Sequence, residues 1–233
     1  MLLKREPELA SELVKRLLGF RINFLVLHGS LTERKLSRGS DVDMLMAVHE
    51  QDLFLAKSLF AGIPDFDVNV VPSNRLIPSC KYEPLFLLAV KYGLPLIDTN
   101  SFKERILRDP LDRKALGKSV ELGFSALDIV RAFLVHSDKD DPLWGCAYSL
   151  MLRFRQAFAV KCLVINEKPT ASGLYSEAER FGINRYVFAK LYEFYRRARD
   201  DRMVGRYPQR DFLQPFLRAT DDYLGEVKRM TSG

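Results

Sequence analysis

The chain has 233 residues, 47% hydrophobic and 28% charged, which is enough apolar material for one large or two small folded domains. Lys and Arg outnumber Asp and Glu by 36 to 30, and this +6 charge favours polyanionic partners such as nucleotides or RNA without proving one. The longest apolar-rich segment, 143–164, contains Arg153 and Arg155, which excludes a membrane span. Glu6 and Glu8 lie where a signal peptide needs apolar residues, so we expect a cytoplasmic protein with no membrane partner.

The three cysteines are Cys80, Cys146 and Cys162. Their number is odd and no two of them are closely spaced. We therefore expect neither a disulfide framework nor a zinc site.

The first 110 residues alternate between strand and helix patterns. Hydrophobic periodicity and turn residues predict helices at 7–18, 51–60, 83–92 and 101–108, and strands at 22–27, 41–48, 66–71 and 94–97. The last strand contains Pro95 and is expected at a sheet edge, and Asp98 is expected to cap the helix that follows it. Segment 72–81, rich in Pro and Ser, is predicted to be a loop.

No strand pattern follows Asp109-Pro110. The remaining chain predicts helices at 116–136, broken near Gly123, and at 142–165, 173–180, 184–202 and 210–228. We expect an α/β domain over residues 1–110 and an all-α domain over residues 111–233.

Two acidic residues open the second predicted strand. Asp41 and Asp43 are two residues apart, so in a strand their carboxylates lie side by side on one face. Like charges at that separation repel each other, and a divalent cation removes the repulsion. Oxygen ligands on a rigid strand suit Mg²⁺, which takes one or two carboxylates together with substrate phosphates.

A Gly-Ser turn follows the first predicted strand. Gly29 allows the backbone to approach a phosphate, and Ser30 adds a hydroxyl donor. Backbone N–H groups that open the next short helix form an anion site. A phosphate cradle beside a metal-binding pair is what nucleotidyl transfer requires. His28, which precedes the turn, is expected to be a packed strand residue rather than a catalyst.

The third predicted strand has one polar face. Phe66, Val68 and Val70 alternate with Asp67 and Asn69. A polar pair inside such a strand indicates either a solvated face or a functional site.

Together these motifs resemble the DNA polymerase beta-type nucleotidyltransferase superfamily, in particular its minimal and kanamycin nucleotidyltransferase-like members. The pattern is His28-Gly29-Ser30, nine residues, Ser40-Asp41-Val42-Asp43, and a later strand that bears an acid. The resemblance implies a small mixed sheet. It also implies two Mg²⁺ ions, with Mn²⁺ as the alternative, held by Asp41, Asp43 and Asp67.

The same resemblance assigns nucleotide contacts to Gly29, Ser30 and Ser40. Asp65 competes with Asp67 for the role of third carboxylate. We prefer Asp67 because it lies inside the strand, whereas Asp65 follows Pro64 in a turn.

The second half resembles the HEPN-type helical bundle, which implies a homodimer formed through this domain. HEPN ribonucleases carry an Arg and a His with four to six residues between them, late in the bundle. Here Arg131 and His136 have roughly that spacing but lie in the first helix, where a separation of five positions puts them on different faces. The late position instead holds the basic run 196–202, which is either a solvated helix end or a rim that receives phosphates.

We therefore expect a Mg²⁺-dependent nucleotidyltransferase. It would move a nucleoside monophosphate from an NTP, with ATP the expected donor, to a hydroxyl of a small molecule, protein or RNA, and release pyrophosphate. Two alternatives stay open: a nucleotide-binding, antitoxin-like regulatory module with weak catalysis, and an RNA-binding or RNA-cleaving HEPN domain.

Overall fold

The computed structural model describes residues 21–28, 42–60, 66–136, 142–199 and 208–232. The chain divides into two compact units, residues 1–110 and residues 111–233. The helix predicted at 7–18 lies outside the described residues.

The N-terminal unit contains a mixed four-stranded sheet. Its strands are β1 (Ile22–His28), β2 (Val42–Val48), β3 (Phe66–Pro72) and β4 (Leu94–Asp98), in the spatial order β3-β2-β1-β4. β1 pairs antiparallel with both β2 and β4, and β2 pairs parallel with β3. The predicted strands are confirmed, and β4 lies at the sheet edge as expected.

Both faces of the sheet carry apolar cores. The helices of this unit are α1 (Leu53–Phe60), preceded by the 3-10 turn Glu50–Asp52, α2 (Ser73–Tyr82), α3 (Pro84–Tyr92) and α4 (Phe102–Arg108). On the first face, Met44 and Met46 pack with residues of α1. On the second face, Phe24, Val26 and Leu45 pack with residues of α2, α3 and α4. The alternation of β2 therefore decides which core each of its side chains enters.

The predicted loop at 72–81 is wrong, because the segment forms α2. Pro78 favours a loop in the sequence, because proline has no N–H to donate to the hydrogen bond of a helix interior. Tertiary packing outweighs this loss, since Leu76 and Cys80 lie one turn apart and are both buried in the second core. The hydroxyl of Ser73 donates to the Val48 carbonyl at 2.9 Å and ties the start of the helix to β2.

Asp98 caps α4, as the sequence predicts. Its Oδ1 accepts a hydrogen bond from the Phe102 N–H at 2.6 Å and its Oδ2 accepts one from the Lys103 N–H at 3.0 Å. The carboxylate therefore satisfies two donors that the first turn of a helix leaves without partners.

The described part of the C-terminal unit is helical. Its elements are α5 (Arg113–His136), α6 (Pro142–Ile165), α7 (Ala171–Arg180), α8 (Arg185–Arg199) and α9 (Arg210–Thr231). The break predicted near Gly123 is wrong, since α5 is continuous there. A Cβ on Gly123 would lie 3.1 Å from the Leu224 methyl carbons, so the glycine serves close packing against α9.

Aromatic rings form the centre of the helical unit, where α6 packs against α5, α8 and α9. The ring centroid of Phe154 lies 5.6 Å from that of Phe188, 5.4 Å from that of Phe216 and 4.8 Å from that of Tyr223. These four side chains are fully buried. Among the described segments, we find no helix with the length and apolar character needed to cross a membrane.

Candidate functional site

Three polar residues lie in a row across one end of the sheet. His28 at the end of β1 is the register partner of Asp43 near the start of β2, and Asp43 is the register partner of Asp67 near the start of β3. Register partners place their side chains on the same face of a sheet. Adjacent strands are about 4.8 Å apart, so each side chain of the row lies beside the next one.

Strand alternation assigns this row to the second face. Asp43 alternates with Val42 and Met44, which belong to the first core, and is in phase with Leu45, which belongs to the second. Asp43 and Asp67 are both half-buried. The polar row therefore continues the second apolar core to the end of the sheet.

The third strand is polar on the face that the sequence predicts. Val68 and Val70 pack in or against the first core, while Asp67 and Asn69 have the opposite phase. Asp65, the rival for the role of third carboxylate, lies outside the described residues. The preference for Asp67 in that role stays a prediction, although Asp67 does occupy the register position beside Asp43.

The other predicted site residues lie outside the described segments. They are Gly29 and Ser30 of the phosphate turn, together with Ser40 and Asp41 before β2. Gly29 directly follows β1 and Asp41 directly precedes β2 in the chain. Their contacts with nucleotide and metal stay predictions.

The donor set of the polar row fits a hard divalent cation. Asp43 and Asp67 supply carboxylate oxygens from adjacent strands, and Mg²⁺ is commonly bound by one or two carboxylates plus substrate phosphates. Within the described ranges, no three His, Cys, Asp or Glu side chains lie close enough together to hold a metal ion by themselves. Asp41 falls outside that search, so the complete predicted ligand set is not covered by it.

Tight packing fixes the β1 end of the row. A Cβ on Gly93, at the end of α3, would lie 2.5 Å from Val26 Cγ2 and 2.6 Å from the Leu27 carbonyl oxygen. Only glycine allows α3 to approach β1 this closely. Because Leu27 directly precedes His28, the contact holds the strand rigid where the polar row begins.

In the helical unit, Arg131 is engaged in ion pairs. Its guanidinium contacts Asp128 at 2.5 Å and Asp221 of α9 at 3.1 Å. His136 is the exposed last residue of α5. Arg131 therefore has a structural role that joins two helices.

The basic run 196–202 is described only to Arg199, where α8 ends. Arg197 donates to Glu193 at 2.6 Å, and Lys190 contacts the same carboxylate at 3.3 Å. Glu193 therefore offsets part of the positive charge of this helix. A role for the run in RNA binding stays a prediction.

All three cysteines are buried free thiols. Burial raises the pKa of Cys80 to about 12. Burial, and next the nearby Glu167 carboxylate, raise the pKa of Cys162 to about 11. Because the thiolate is the reactive form, neither Cys80 nor Cys162 is suited to nucleophilic catalysis.

Sequence reasoning missed two features. It expected His28 to be a packed strand residue, which stays a prediction, and it did not foresee that the register places His28 beside Asp43. The phase of β1, in which Phe24, Val26 and His28 are each two residues apart, indicates the face of His28 but not its neighbour on β2. It also treated Arg153 only as a charge that excludes a membrane span.

Comparison with known proteins adds no assignment: neither the models of known protein families nor the curated proteins contain a match to this chain.

Proposed function

We propose that this protein is a divalent-metal-dependent nucleotidyltransferase. The observation that carries the proposal is the register pair Asp43–Asp67, which lies at the sheet end adjoining the Gly29-Ser30 turn in the chain. Two carboxylates held in register on adjacent strands repel each other, and a divalent cation bound between them relieves this repulsion. The pair therefore supplies the oxygen ligands that a divalent cation needs.

The reaction is the attack of an acceptor hydroxyl on the α-phosphorus of an NTP. A new bond forms between the acceptor oxygen and phosphorus, the bond between phosphorus and the α–β bridging oxygen breaks, and pyrophosphate leaves with that oxygen. Bound divalent ions supply charge stabilisation for the phosphates and lower the pKa of the acceptor hydroxyl. ATP with Mg²⁺ is the pair we expect.

Each predicted site residue has a role in this scheme. Asp41 and Asp43 would hold the metal ion, which would supply positive charge at the triphosphate. Asp67 contributes a ligand on the acceptor side and accepts the hydroxyl proton. Gly29 and Ser30 donate hydrogen bonds to the leaving pyrophosphate, and Ser40 contacts the nucleotide.

RNA is one acceptor class that the net charge of +6 favours. The ion pairs of Arg131 with two aspartates count against a ribonuclease built on Arg131 and His136. We therefore place transfer ahead of RNA cleavage.

The test is product formation from labelled ATP, with Mg²⁺, in the presence of small-molecule, protein and RNA acceptors. Asp43→Asn and Asp67→Asn should each lower turnover by about a hundredfold or more, because each removes a metal-binding charge and every 1.4 kcal/mol of barrier is tenfold in rate. The matched control is Asp109→Asn, an exposed acid of the same unit, which should retain full turnover. ATP binding should require Mg²⁺ or Mn²⁺ in calorimetry.

Two results would overturn the proposal: ATP affinity that is the same with and without divalent ions, or product formation that survives in Asp43→Asn. A separate comparison of Asp65→Asn with Asp67→Asn identifies the third carboxylate. Equal loss in Asp67→Asn and Asp43→Asn, with activity retained in Asp65→Asn, is the expected ranking.

A further inference from the structure

Arg153 is a half-buried cation in the middle of α6. Its Nε atom is buried and has no hydrogen-bond partner. Its Nη1 donates to Oε1 of Gln156 at 2.6 Å, and Gln156 is itself only 8% exposed. A neutral amide oxygen is thus the partner of the guanidinium.

Several cations of the helical unit are matched with carboxylates. Arg180 contacts both Glu177 and Glu226, and Lys161 contacts Glu177 at 2.6 Å. Arg131 contacts two aspartates. Arg153 takes part in none of the ion pairs that join described residues.

A half-buried guanidinium without a counter-charge is costly to retain. Burying a charge without an opposite charge is unfavourable, and a buried N–H without a partner adds the penalty of its lost hydration. A flexible apolar side chain such as methionine at this position would carry neither penalty. Stability therefore does not explain an arginine at this position, and a ligand that supplies the missing charge does.

We propose that Arg153 and Gln156 form an oxyanion-binding site on α6. A guanidinium presents its N–H groups in a planar fork that matches two oxygens of a carboxylate or phosphate. Ser149 lies one helical turn before Arg153 on the same side of α6. The ligand is a small molecule or a chain segment that carries a phosphate or carboxylate group.

This site is independent of the proposed nucleotidyl transfer. Its residues belong to the helical unit, and its binding requires neither a metal ion nor ATP. Loss of oxyanion binding would leave the metal-dependent reaction of the sheet end untouched, and failure of that reaction would leave this site untouched.

The experiment is an NMR titration of the full chain that observes the Nε–Hε groups of arginine. The Arg153 signal is assigned by its disappearance in Arg153→Lys. The probes are inorganic phosphate and acetate, each compared with chloride at the same ionic strength. We expect a saturating shift of the Arg153 signal with phosphate, acetate or both, while the Arg131 signal stays fixed because two carboxylates already neutralise it. The arm that saturates at lower concentration identifies the oxyanion class.

Gln156→Glu is the decisive variant. It keeps the size of the side chain and replaces the neutral amide that contacts Arg153 with a carboxylate. The internal ion pair should compete with the ligand and weaken oxyanion binding by about tenfold or more, which corresponds to 1.4 kcal/mol. Arg131→Gln is the control and should leave the titration of Arg153 unchanged.

Three results would overturn the proposal. One is an Arg153 signal that does not move with either probe. Another is a shift of equal size at Arg131, which would show only general ionic screening. The third is unchanged binding in a folded Gln156→Glu variant, which would show that the oxyanion binds elsewhere.

Discussion

The two units of this chain distribute charge in opposite ways. At the end of the sheet, Asp43 and Asp67 bring like charges into register on neighbouring strands. In the helical unit, Glu177 and Glu226 each contact both Lys161 and Arg180. The first arrangement costs folding energy and the second contributes to it. Charge pairing thus supports a structural role for the helical network, and the register of two carboxylates is consistent with the metal site that we propose at the sheet end.

The largest expected change in stability is in the helical network. Lys161→Met removes the cation that contacts Glu177 at 2.6 Å, where both side chains are less than one-fifth exposed. The variant should lose about 1–2 kcal/mol of unfolding free energy, less than for a fully buried pair because Glu177 keeps its contact with Arg180. Urea denaturation measures it.

Lys190→Met is the matched control for that change. Lys190 and Glu193 are both more than two-fifths exposed and 3.3 Å apart. An exposed pair contributes little, so this variant should change stability by less than about 0.5 kcal/mol. Equal losses in the two lysine variants would contradict the structural role assigned to the network.

A smaller effect is expected from acid. The hydrogen bonds from Arg180 hold the pKa of Glu226 below its ordinary value of 4.5. A carboxyl whose pKa is lower in the folded state stabilises the protein above its unfolded-state pKa, and that stability is lost as the pH falls through the folded-state pKa. Unfolding curves of wild type and Glu226→Gln should therefore differ at neutral pH and converge as the pH falls through the lowered folded-state pKa of Glu226. A difference that persists at the lowest pH would contradict this origin.

The smallest expected effect has the opposite sign. Asp43→Asn removes one of two like charges that are register partners, so without divalent ions the unfolding free energy should stay equal or rise by up to about 0.5 kcal/mol. Thermal unfolding in the presence of a chelator measures it. Asp67→Asn should give the same gain, and the double variant should give no more than either alone, because the repulsion is removed once. A loss of stability in both single variants would show that these acids are structural.

Local pattern was enough to predict most of the elements. Strict alternation located β3 and its polar face, and capping residues located α4, because both signals depend on residues that are near in sequence. The helix α2 was missed because its stability comes from packing against the second core. The local sequence around Pro78 carries no sign of that packing. The continuity of α5 at Gly123 was missed for the same reason, since Leu224 lies about a hundred residues away.

The site was predicted in part. The phase of β3 predicted which face Asp67 occupies, but register between strands depends on the whole sheet and brought His28 beside Asp43 without a local signal. Arg153 was missed because it differs from Arg131 and Arg180 in lacking, among the described residues, an ion pair with another helix. Such pairs join helices that are distant in sequence and leave no local pattern.

The phase of the polar row also has a consequence for how the sheet is assembled. A slip of one residue between β2 and β3 would turn every side chain of β3 to the opposite face and move Asp67 towards Met44, Met46 and the other apolar residues of the first core. Moving a carboxylate there without a partner would cost several kcal/mol. The acid that we place in catalysis therefore also rejects mispaired strands during folding, so that only chains with the correct alignment bury their apolar residues on both sides of the sheet.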